Sequence, residues 1–476
     1  MKSIEQLATE LKRDMGGWEE GIFDWACELA QSAAKVLLER IDEELMKERE
    51  EGLEEEGLRG HWVTTRFGDV NIRRRLYRHS DGNYCFLLDE AMGLRKRSRV
   101  SPKVEELATF LASYVPSFEK CERLLRALLP DGISHTTIHR LVGRVVDPYV
   151  EQEEREIAAV FEDGVIPESQ GKVVSHLMAE ADGVSIALQR EEERRTEVKV
   201  GIAYEGWEKM GKERYRLKEK TTYAGIMDGE RFWEGFSLIL AKKYDLSQVG
   251  QIIVGSDGAA WAREGADFLG GMFQLDRFHL LRALYRGLAP DDSLVGQVYR
   301  ACTCGDLDRA DGLLSQAQHK SKGEQVKRIA ELRGYLLSNR TGLRDYRLAL
   351  EGEELRGLGA IEGNVDKLVA TRMKKRGMSW TKRGANRMAR LINLRERGQL
   401  HLWVNRRDKR DGSQSVPVSP KVRSENHKSS HGEYRAWLEA GLPALYGPHA
   451  NRPWAQTLSA IARATGAITG IRPTKS

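Results

Sequence analysis

The chain has 476 residues, a length that exceeds one ordinary domain and suggests about three. It has no apolar run near the roughly 18 residues that a membrane-spanning helix needs, and no signal-peptide core, so we expect a cytoplasmic protein without a membrane partner. The net charge of +5 conceals a polarity, because residues 1–60 carry −9 and residues 363–476 carry +16. Such a polarity excludes little by itself but favours a nucleic-acid partner.

The first hundred residues divide into two segments. Apolar residues at near-helical spacing predict an acidic helical region over residues 1–58. Residues 59–100 contain short runs of strand-forming residues separated by Gly68-Asp69 and by Asp81-Gly82-Asn83, which predicts a small β meander. The acidic run near residue 50 is typical of a solvated helix face, and an interaction surface is the alternative.

Residues 101–150 have the outline of a helix-turn-helix. An amphipathic helix over Ser117–Leu129 stops at Pro130-Asp131-Gly132, and Ser134 caps a second helix over Thr136–Val146. In that motif the first residues of the second helix face base edges. The candidate DNA-binding residues here are Thr136, Thr137, His139 and Arg140. A structural helical hairpin produces the same pattern, so both interpretations stay open.

Residues 165–280 predict an α/β sheet layer. Strands come first as a meander and then alternate with helices, which is typical of a mixed sheet covered by helices. The predicted strands are Val173–Ala181, Val184–Leu188, Val198–Tyr204, Tyr223–Met227, Gln251–Gly255 and Met272–Leu275, and the predicted helices are Gly229–Tyr244 and Ala259–Leu269. Asp182-Gly183 is a hairpin signal between the first two strands. Periodic leucines over residues 281–350 predict a helical insertion.

The C-terminal part is strongly basic. Residues 351–405 are predicted to hold one more helix and a basic region, and residues 406–476 a basic, partly disordered tail. Between Lys367 and Arg410, 15 basic residues face 2 acidic ones, which favours contact with a DNA backbone. The candidate DNA-binding residues in this part are Arg372, Lys374, Lys375, Arg376, Lys382 and Arg383. For Trp380, core packing is favoured over stacking on an unpaired base.

Three carboxylates have settings that suit metal binding. Asp182 and Asp257 end apolar runs, and Glu362 opens a helical segment. A single Asp-Gly pair is more often a plain turn, but carboxyl ends of neighbouring strands converge on one crevice, where a helix can add a third ligand. Hard oxygen ligands suit Mg²⁺, with Mn²⁺ as a substitute, and two such ions clamp a phosphodiester during in-line displacement. Asp366 shares a helix face with Glu362, as a neighbour or an alternative ligand.

This order of residues resembles the DDE transposases of bacterial insertion sequences, and most closely the ISLre-type group related to the Mutator-like superfamily. The resemblance rests on the segments around Asp257, on Leu275-Asp-Arg-Phe-His-Leu280 and on Ile361-Glu-Gly-Asn-Val-Asp366 with the basic sequence that follows. It implies a multidomain α+β protein in which an RNase H-like α/β catalytic core carries an all-helical insertion. Helical, small β and helix-turn-helix-like segments precede that core.

The resemblance also implies residue roles. Asp182, Asp257 and Glu362 would be the catalytic, metal-binding triad, and Asp276 and His279 would form an Asp-x-x-His element. His279 would either touch the scissile phosphate or brace its helix. The expected activity is metal-dependent strand cleavage and strand transfer on double-stranded DNA, by a homo-oligomer associated with the nucleoid.

Three other functions remain open at this point. A domesticated, non-catalytic DNA-binding protein would not need three separated carboxylates, whereas a structure-specific nuclease of the same fold would use them without strand transfer. A glycosidase with a carboxylate pair would leave the basic C-terminal third unexplained.

Overall fold

The computed structural model describes residues 3–13, 15–350, 355–375 and 377–406. The predicted C-terminal tail, residues 406–476, lies outside the described residues except for Arg406. The chain is a mixed α+β protein with two compact units. The first unit comprises Met1–Ala108, Glu119–His135 and Val404–Ser476, and the second comprises Thr109–Phe118 and Thr136–Trp403. Within the described residues, no helix combines the length and apolarity needed to cross a membrane.

The first unit packs a long helix on a small antiparallel sheet with the strand order β1-β2-β3. Buried Val63, Val70 and Ile72 of the hairpin form its core, against which Leu38 and Ile41 of the long helix pack. The elements that begin in this unit are α1 (Ile4–Arg13), α2 (Trp18–Lys47), β1 (Glu54–Thr65), β2 (Gly68–Arg78), β3 (Tyr84–Cys85), α3 (Leu87–Ala91) and α4 (Pro102–Tyr114). Helix α5 (Phe118–Leu128) belongs to this unit from Glu119 onward.

The predicted helical region 1–58 is too long, because β1 begins at Glu54. The last residues of the acidic run interpreted as a solvated helix face, Glu54–Glu56, lie on a strand, where Glu54 pairs with Arg78 at 2.6 Å and Glu55 with Arg75 at 3.3 Å. Cross-strand pairs of opposite charge stabilise a hairpin, so the same residues suit a strand once β2 lies opposite. The last strand of the predicted meander, expected over Tyr84–Leu88, is also too long, since β3 ends at Cys85 and the chain enters α3 at Leu87.

The second unit contains the mixed sheet. Its elements up to the helical insertion are α6 (His135–Phe161), β4 (His176–Leu188), β5 (Arg195–Tyr204), β6 (Trp207–Lys209), β7 (Tyr215–Leu217), β8 (Thr221–Gly225), α7 (Gly229–Lys243), β9 (Gln251–Ser256), α8 (Ala260–Arg263), α9 (Gly265–Leu269) and β10 (Met272–Leu275). Helix α6 lies in this unit from Thr136 onward. The predicted helix Ala259–Leu269 is therefore two short helices, whereas β10 has the predicted bounds.

The strand order in this sheet is β10-β9-β4-β5-β8. Strands β4, β5 and β8 form an antiparallel meander, and β9 and β10 add to the other side of β4 in parallel. Parallel neighbours need a helical crossover, which α7 supplies between β8 and β9 and the pair α8 and α9 supplies between β9 and β10. Leu177, Ala179 and Ala181 of β4 pack in one core with Phe232 and Trp233 of α7.

The hairpin turn predicted at Asp182-Gly183 is wrong. Strand β4 continues through both residues, with Asp182 opposite Val200 and Gly183 opposite Lys199 of β5. Burial of Val184 and Ile186 continues the pattern past the Asp-Gly pair, so the local turn signal is overridden by pairing with β5.

The remaining elements form a helical insertion and a C-terminal segment. The insertion has its own apolar core and contains α10 (Arg277–Leu288), α11 (Asp292–Cys304), α12 (Leu307–Lys320) and α13 (Glu324–Ser338). The later elements are α14 (Ala360–Val365), a π-helical turn (Asp366–Ala370), α15 (Thr371–Met373), β11 (Ser379–Trp380), α16 (Lys382–Glu396) and α17 (Leu400–Val404). Strand β11 pairs in parallel with the end of β4.

A buried ionic network joins α6, β8 and α16. Arg390 contacts Glu153 at 2.9 Å, and their side chains are 2% and 4% exposed. The hydroxyls of Tyr149 and Tyr223 donate to the same carboxylate at 2.5 Å and 3.1 Å. A charge pair removed from water in this way is stable only while both charges are present.

We expect Arg390→Ala to lower the free energy of unfolding by about 3–5 kcal/mol, because Glu153 would stay buried without its cation. The control is Arg383→Ala on the same helix. Arg383 pairs with Asp147 but its side chain is 76% exposed, so the loss should be about 0–1 kcal/mol. Urea unfolding monitored by circular dichroism measures both values, and equal losses would contradict a special role for the buried pair.

Candidate functional site

Three aspartates stand in a row across adjacent parallel strands: Asp257 and Asp276 come directly after β9 and β10, and Asp182 lies inside β4. Ser256 of β9 lies between Ala181 of β4 and Leu275 of β10 in the sheet register. Asp182, Asp257 and Asp276 each follow the paired residue directly. Because neighbouring strands lie about 4.8 Å apart, the register brings the three carboxylates together at one edge. Asp182 and Asp257 thus lie side by side, as predicted, but Asp182 is not at the end of its strand, because β4 continues to Leu188.

The row carries unfavourable negative charge. Burial raises the pKa of Asp182 to about 6, and the neighbouring Asp257 adds to the rise. The backbone N–H of Gly183, which donates to Asp182 at 2.6 Å, and the charge of His279 act in the opposite direction. Two carboxylates held close together in a half-buried place attract a proton or a cation.

His279 and Asp276 form a hydrogen-bonded pair beside the row. Asp276 caps α10 by accepting the backbone N–H of His279 at 3.0 Å, and the same oxygen lies 2.9 Å from Nδ1 of the ring. This bond, together with the charges of Asp257 and Asp182, raises the pKa of His279 despite its partial burial. The pair therefore fixes the imidazole ring next to the aspartates and favours its protonated form.

The helix that carries Glu362 starts over this edge of the sheet. Glu180 and Asp182 are two residues apart on β4 and share one face. The backbone N–H groups of Gly359, Ala360 and Ile361 donate to the Glu180 carboxylate at 2.8 Å, 3.3 Å and 3.3 Å. A Cβ on Gly359 would lie 3.0 Å from Oδ2 of Asp276, so the start of α14 also adjoins the third aspartate.

Glu362 itself is exposed, unlike the half-buried aspartates. It lines an open cleft together with Asp276 and with aromatic and basic side chains. Those include Trp207, Tyr215, Phe278, Arg356 and Lys367. The guanidinium of Arg356 stacks on Tyr215, with 3.6 Å between its carbon and the ring centroid. The predicted third ligand thus faces a cleft lined by groups that suit nucleotides, and it belongs to the helix whose start is bound to Glu180 of β4.

The carboxylates present are the type of ligand that Mg²⁺ prefers, but among the described residues their side chains do not converge on one point. Within the described part of the chain, no three or more His, Cys, Asp or Glu side chains are grouped so as to hold a metal ion. Asp182 and Asp257 offer hard oxygens from adjacent strands, and burial, with the charge of Asp257, raises the pKa of Asp182, a cost that a bound cation would offset. Glu362 would have to turn toward them to complete a three-carboxylate site.

The predicted DNA-binding residues of α6 occupy its first turns. Thr136, His139 and Arg140 are exposed and Thr137 is half-buried. Partial burial of the ring lowers the pKa of His139, and the charge of Arg387 on α16 lowers it further, so the two helices place these groups close together. Arg383 and Arg387 both bind Asp147 of α6, which joins the basic α16 to the same side of α6.

The prediction that Arg372 contacts DNA is wrong for this conformation. Its side chain is 3% exposed and donates to the carbonyl oxygens of Ala112 and Pro116 at 2.9 Å and 3.1 Å. The guanidinium also lies 5.1 Å from the Trp380 ring centroid. Position in a basic run does not reveal that one cation of the run is used to join helices.

The other basic residues of this run differ in placement. Lys374, Lys375, Lys382 and Arg383 are exposed, and Arg376 lies outside the described residues. Lys375 binds Asp366 at 2.7 Å, which gives Asp366 a cation as its neighbour. Trp380 is half-buried, and its indole N–H donates to the carbonyl of Met373 at 2.8 Å, in agreement with packing inside the protein.

Two residues at the site went unnoticed in the sequence. Glu180 is 1% exposed and binds the start of α14, and the signal for it was an acid between two alanines inside a strand. Tyr335 of α13 donates its hydroxyl to the carbonyl of Asp257 at 2.9 Å. Burial, Asp257 and Asp276 raise its pKa to about 12. No local pattern distinguishes Tyr335 from the other apolar positions of the insertion.

Comparison with known proteins places the chain in a family. The sequence model of an uncharacterised protein family, UPF0236, matches residues 14–410. The chain belongs to this family. It is 28% identical over 375 residues to the UPF0236 protein in the vanSb 3′ region of Streptococcus gallolyticus, covering 77% of this chain and 79% of the relative. Two UPF0236 proteins of Caldanaerobacter subterraneus subsp. tengcongensis are each 25% identical over 372 residues, which cover 76% of this chain and 74% and 70% of the relatives.

We expect Asp182→Asn to stabilise the protein in metal-free buffer at pH 8, by about 1–3 kcal/mol. The pKa of Asp182 is raised from 3.8 to about 6, so the cost of its ionised form grows between these pH values and is complete above pH 6, whereas near pH 3 Asp182 is mostly protonated in both the folded and the unfolded chain. The gain should therefore nearly vanish near pH 3. Urea unfolding at the two pH values measures it, with exposed Asp267→Asn as the control. A gain of equal size at both values would show that ionisation is not its cause.

Proposed function

We propose that this protein is a DNA transposase of the DDE type, which cleaves and joins strands at the ends of an insertion sequence. The observation that carries the proposal is the pairing of β4 with β9, which sets Asp182 beside Asp257, under the helix that holds Glu362. The strand order β10-β9-β4-β5-β8, with an antiparallel meander followed by two parallel strands, supports an RNase H-like core. The helices α10–α13 stand where the ISLre-type resemblance expects an insertion.

The reaction consists of two phosphoryl displacements. A water oxygen attacks the phosphorus at the end of the element, the bond to the 3′ oxygen breaks, and a free 3′-hydroxyl remains. That hydroxyl then attacks a phosphorus of the target DNA, forms the new phosphodiester and releases the target's own 3′-hydroxyl. No covalent bond between protein and DNA is needed, so no nucleophilic side chain is required.

The side chains at the site divide this work. Asp182, Asp257 and Glu362 would hold two Mg²⁺ ions, or Mn²⁺ as a substitute, which supply Lewis acidity and charge neutralisation at the phosphate. His279, held by Asp276 and favoured in its protonated form, is placed to donate to a phosphate oxygen near the aspartates. Bracing of α10 by the same bond is the alternative role of His279.

The double-stranded DNA partner is supported by two groups of exposed residues. The first turns of α6 present Thr136, His139 and Arg140, in keeping with a helix-turn-helix that reads base edges. The exposed lysines after the π-helical turn present charge for the phosphate backbone. Two ends of an element must be joined in one complex, so the proposal includes a homo-oligomer on DNA and association with the nucleoid.

The relatives lend support of another kind. The name of one UPF0236 protein of Caldanaerobacter subterraneus subsp. tengcongensis joins eleven designations, and another joins four. A gene repeated many times within one genome would receive such a name, and repetition within a genome is what transposition produces. The support concerns the family, and it reaches this chain through the match over residues 14–410.

We expect the purified protein to nick labelled DNA that carries the ends of its own element, in Mg²⁺ and not in EDTA. Asp257→Asn should lower the cleavage rate by more than about 100-fold, a loss beyond that of outer-shell partners of a metal, and should leave DNA binding intact. Asp267→Asn, on the exposed side of α9, is the control with equal change of charge.

The outcomes separate the competing functions. Binding without cleavage in every metal would indicate a domesticated DNA-binding protein. Cleavage without joining to target DNA would indicate a structure-specific nuclease. Undiminished nicking by Asp257→Asn would disprove the assignment of the carboxylates.

The basic segment yields a second expectation. A Lys374→Gln, Lys375→Gln, Lys382→Gln variant should bind DNA more weakly, with a shallower dependence of log K on log salt concentration, by about 0.9 for each lost phosphate contact. The control replaces Lys320, Lys322 and Lys327, three exposed lysines of the insertion, with Gln. Fluorescence anisotropy at several salt concentrations measures both slopes, and identical slopes for the two variants would remove the basic segment from the interface.

A further inference from the structure

A buried acid lies where the helix of Glu362 begins. Gly359 is the N-cap of α14 and has no side chain with which to cap it. The first backbone N–H groups of a helix need acceptors, which a side chain at the N-cap usually supplies. Here the acceptor is Glu180 of β4, which is 179 residues away from Gly359 in the chain, and its carboxylate accepts bonds from three successive N–H groups.

The Glu180 carboxylate accepts four hydrogen bonds from described residues, three of them from the start of α14. The fourth donor is the hydroxyl of Tyr204 on β5, at 2.5 Å, so both carboxylate oxygens are occupied by donors. Glu180 is 1% exposed, and water does not compete for these bonds. Gly359 has φ +125, a conformation that side chains rarely adopt, and this allows successive N–H groups to converge on the acid.

We propose that Glu180 is a positioning residue that fixes Glu362 relative to Asp182. Glu180 and Asp182 are two residues apart on one face of β4, so the carboxylate that holds α14 belongs to the strand that carries the first aspartate. Glu362 follows Ile361, the last of the three bonded N–H groups, by one residue. The inference rests on the proposed function for its catalytic meaning, whereas the attachment of the helix stands on the hydrogen bonds alone.

The chemistry requires a carboxylate. A carboxylate only accepts hydrogen bonds, and the positive end of the helix dipole favours its charge. The amide of Gln would turn an N–H donor toward backbone N–H groups or lose half of the acceptors. Glu180→Gln therefore changes the attachment with little change of volume.

The test combines amide exchange with catalysis in the full chain. In Glu180→Gln, we expect the amides of Gly359, Ala360 and Ile361 to exchange at least about tenfold faster, the loss of roughly one charge-assisted bond. Exchange in β4 and β5 should stay within about twofold. On element-end DNA in Mg²⁺, kcat should fall at least about tenfold while the Kd for DNA stays within about twofold.

The matched control is Glu205→Gln. Glu205 has a side chain that is 5% exposed, pairs with Lys172 and accepts the hydroxyl of Tyr244 at 3.0 Å, but it has no bond to α14. Like Glu180, Glu205 is a buried acid that accepts a tyrosine hydroxyl, and its replacement by Gln removes the same charge. We expect wild-type exchange at residues 359–361 and wild-type kcat in this variant.

Each outcome supports or overturns the inference. Unchanged exchange at residues 359–361 in Glu180→Gln, or faster exchange spread equally over β4 and β5, would overturn it. Absence of cleavage by the wild type would remove the proposed function, and the exchange data would still decide the attachment. If Glu180→Gln fails to fold, Tyr204→Phe removes only the fourth donor, and about threefold faster exchange at the three amides would support the inference, whereas wild-type exchange would overturn it.

Discussion

The parallel pairing of β4 with β9 and of β9 with β10 is the constraint on which the candidate site depends. Ser256 is the residue common to both pairings, so the residue after each pairing partner comes to the same edge of the sheet. A shift of one residue in either register would turn one carboxylate to the opposite face, because side chains alternate along a strand. The position of the aspartates is therefore a property of the backbone and needs no special side-chain geometry.

Charge is distributed around that edge in opposite ways. Burial, with a smaller contribution from the charge of Asp257, raises the pKa of Asp182 to about 6, a destabilising arrangement that folding alone would not favour. Arg390 and Glu153 show the contrasting case, where buried charges neutralise each other. Among the described residues, Asp182 and Asp257 have no ion-pair partner, whereas Glu153 has Arg390. The aspartates are therefore the cluster that is available to a cationic ligand.

The sequence predicted the elements whose signals are local. Strand β10 has the predicted bounds, and α7 differs from the prediction by one residue, because apolar periodicity and flanking turn residues suffice for such segments. The Asp-Gly pair in β4 misled for the opposite reason, since its strand conformation depends on β5. The membership of the chain in UPF0236 is established, and its likeness to DDE transposases stays a prediction.

The sequence predicted the aspartates of the candidate site but not the buried contacts that hold the surrounding elements in place. Asp182 and Asp257 were identified from strand ends, whereas the burial of Arg372 and the bonds of Glu180 depend on contacts between residues more than 170 positions apart. Periodicity describes which face of an element is apolar and carries no information about which distant backbone group a buried charge will meet. The one available hint was a charged residue between two alanines inside a strand.

The π-helical turn after Glu362 has a consequence for how such a protein can change. Each residue added to or removed from a helix rotates everything beyond it by about 100°. The turn over Asp366–Ala370 lies between Glu362 on one side and Lys374 and Lys375 on the other. Gain or loss of one residue there would turn the two lysines about the helix axis, while the start of α14 stays bound to Glu180. The direction of these basic side chains can therefore change independently of the position of Glu362.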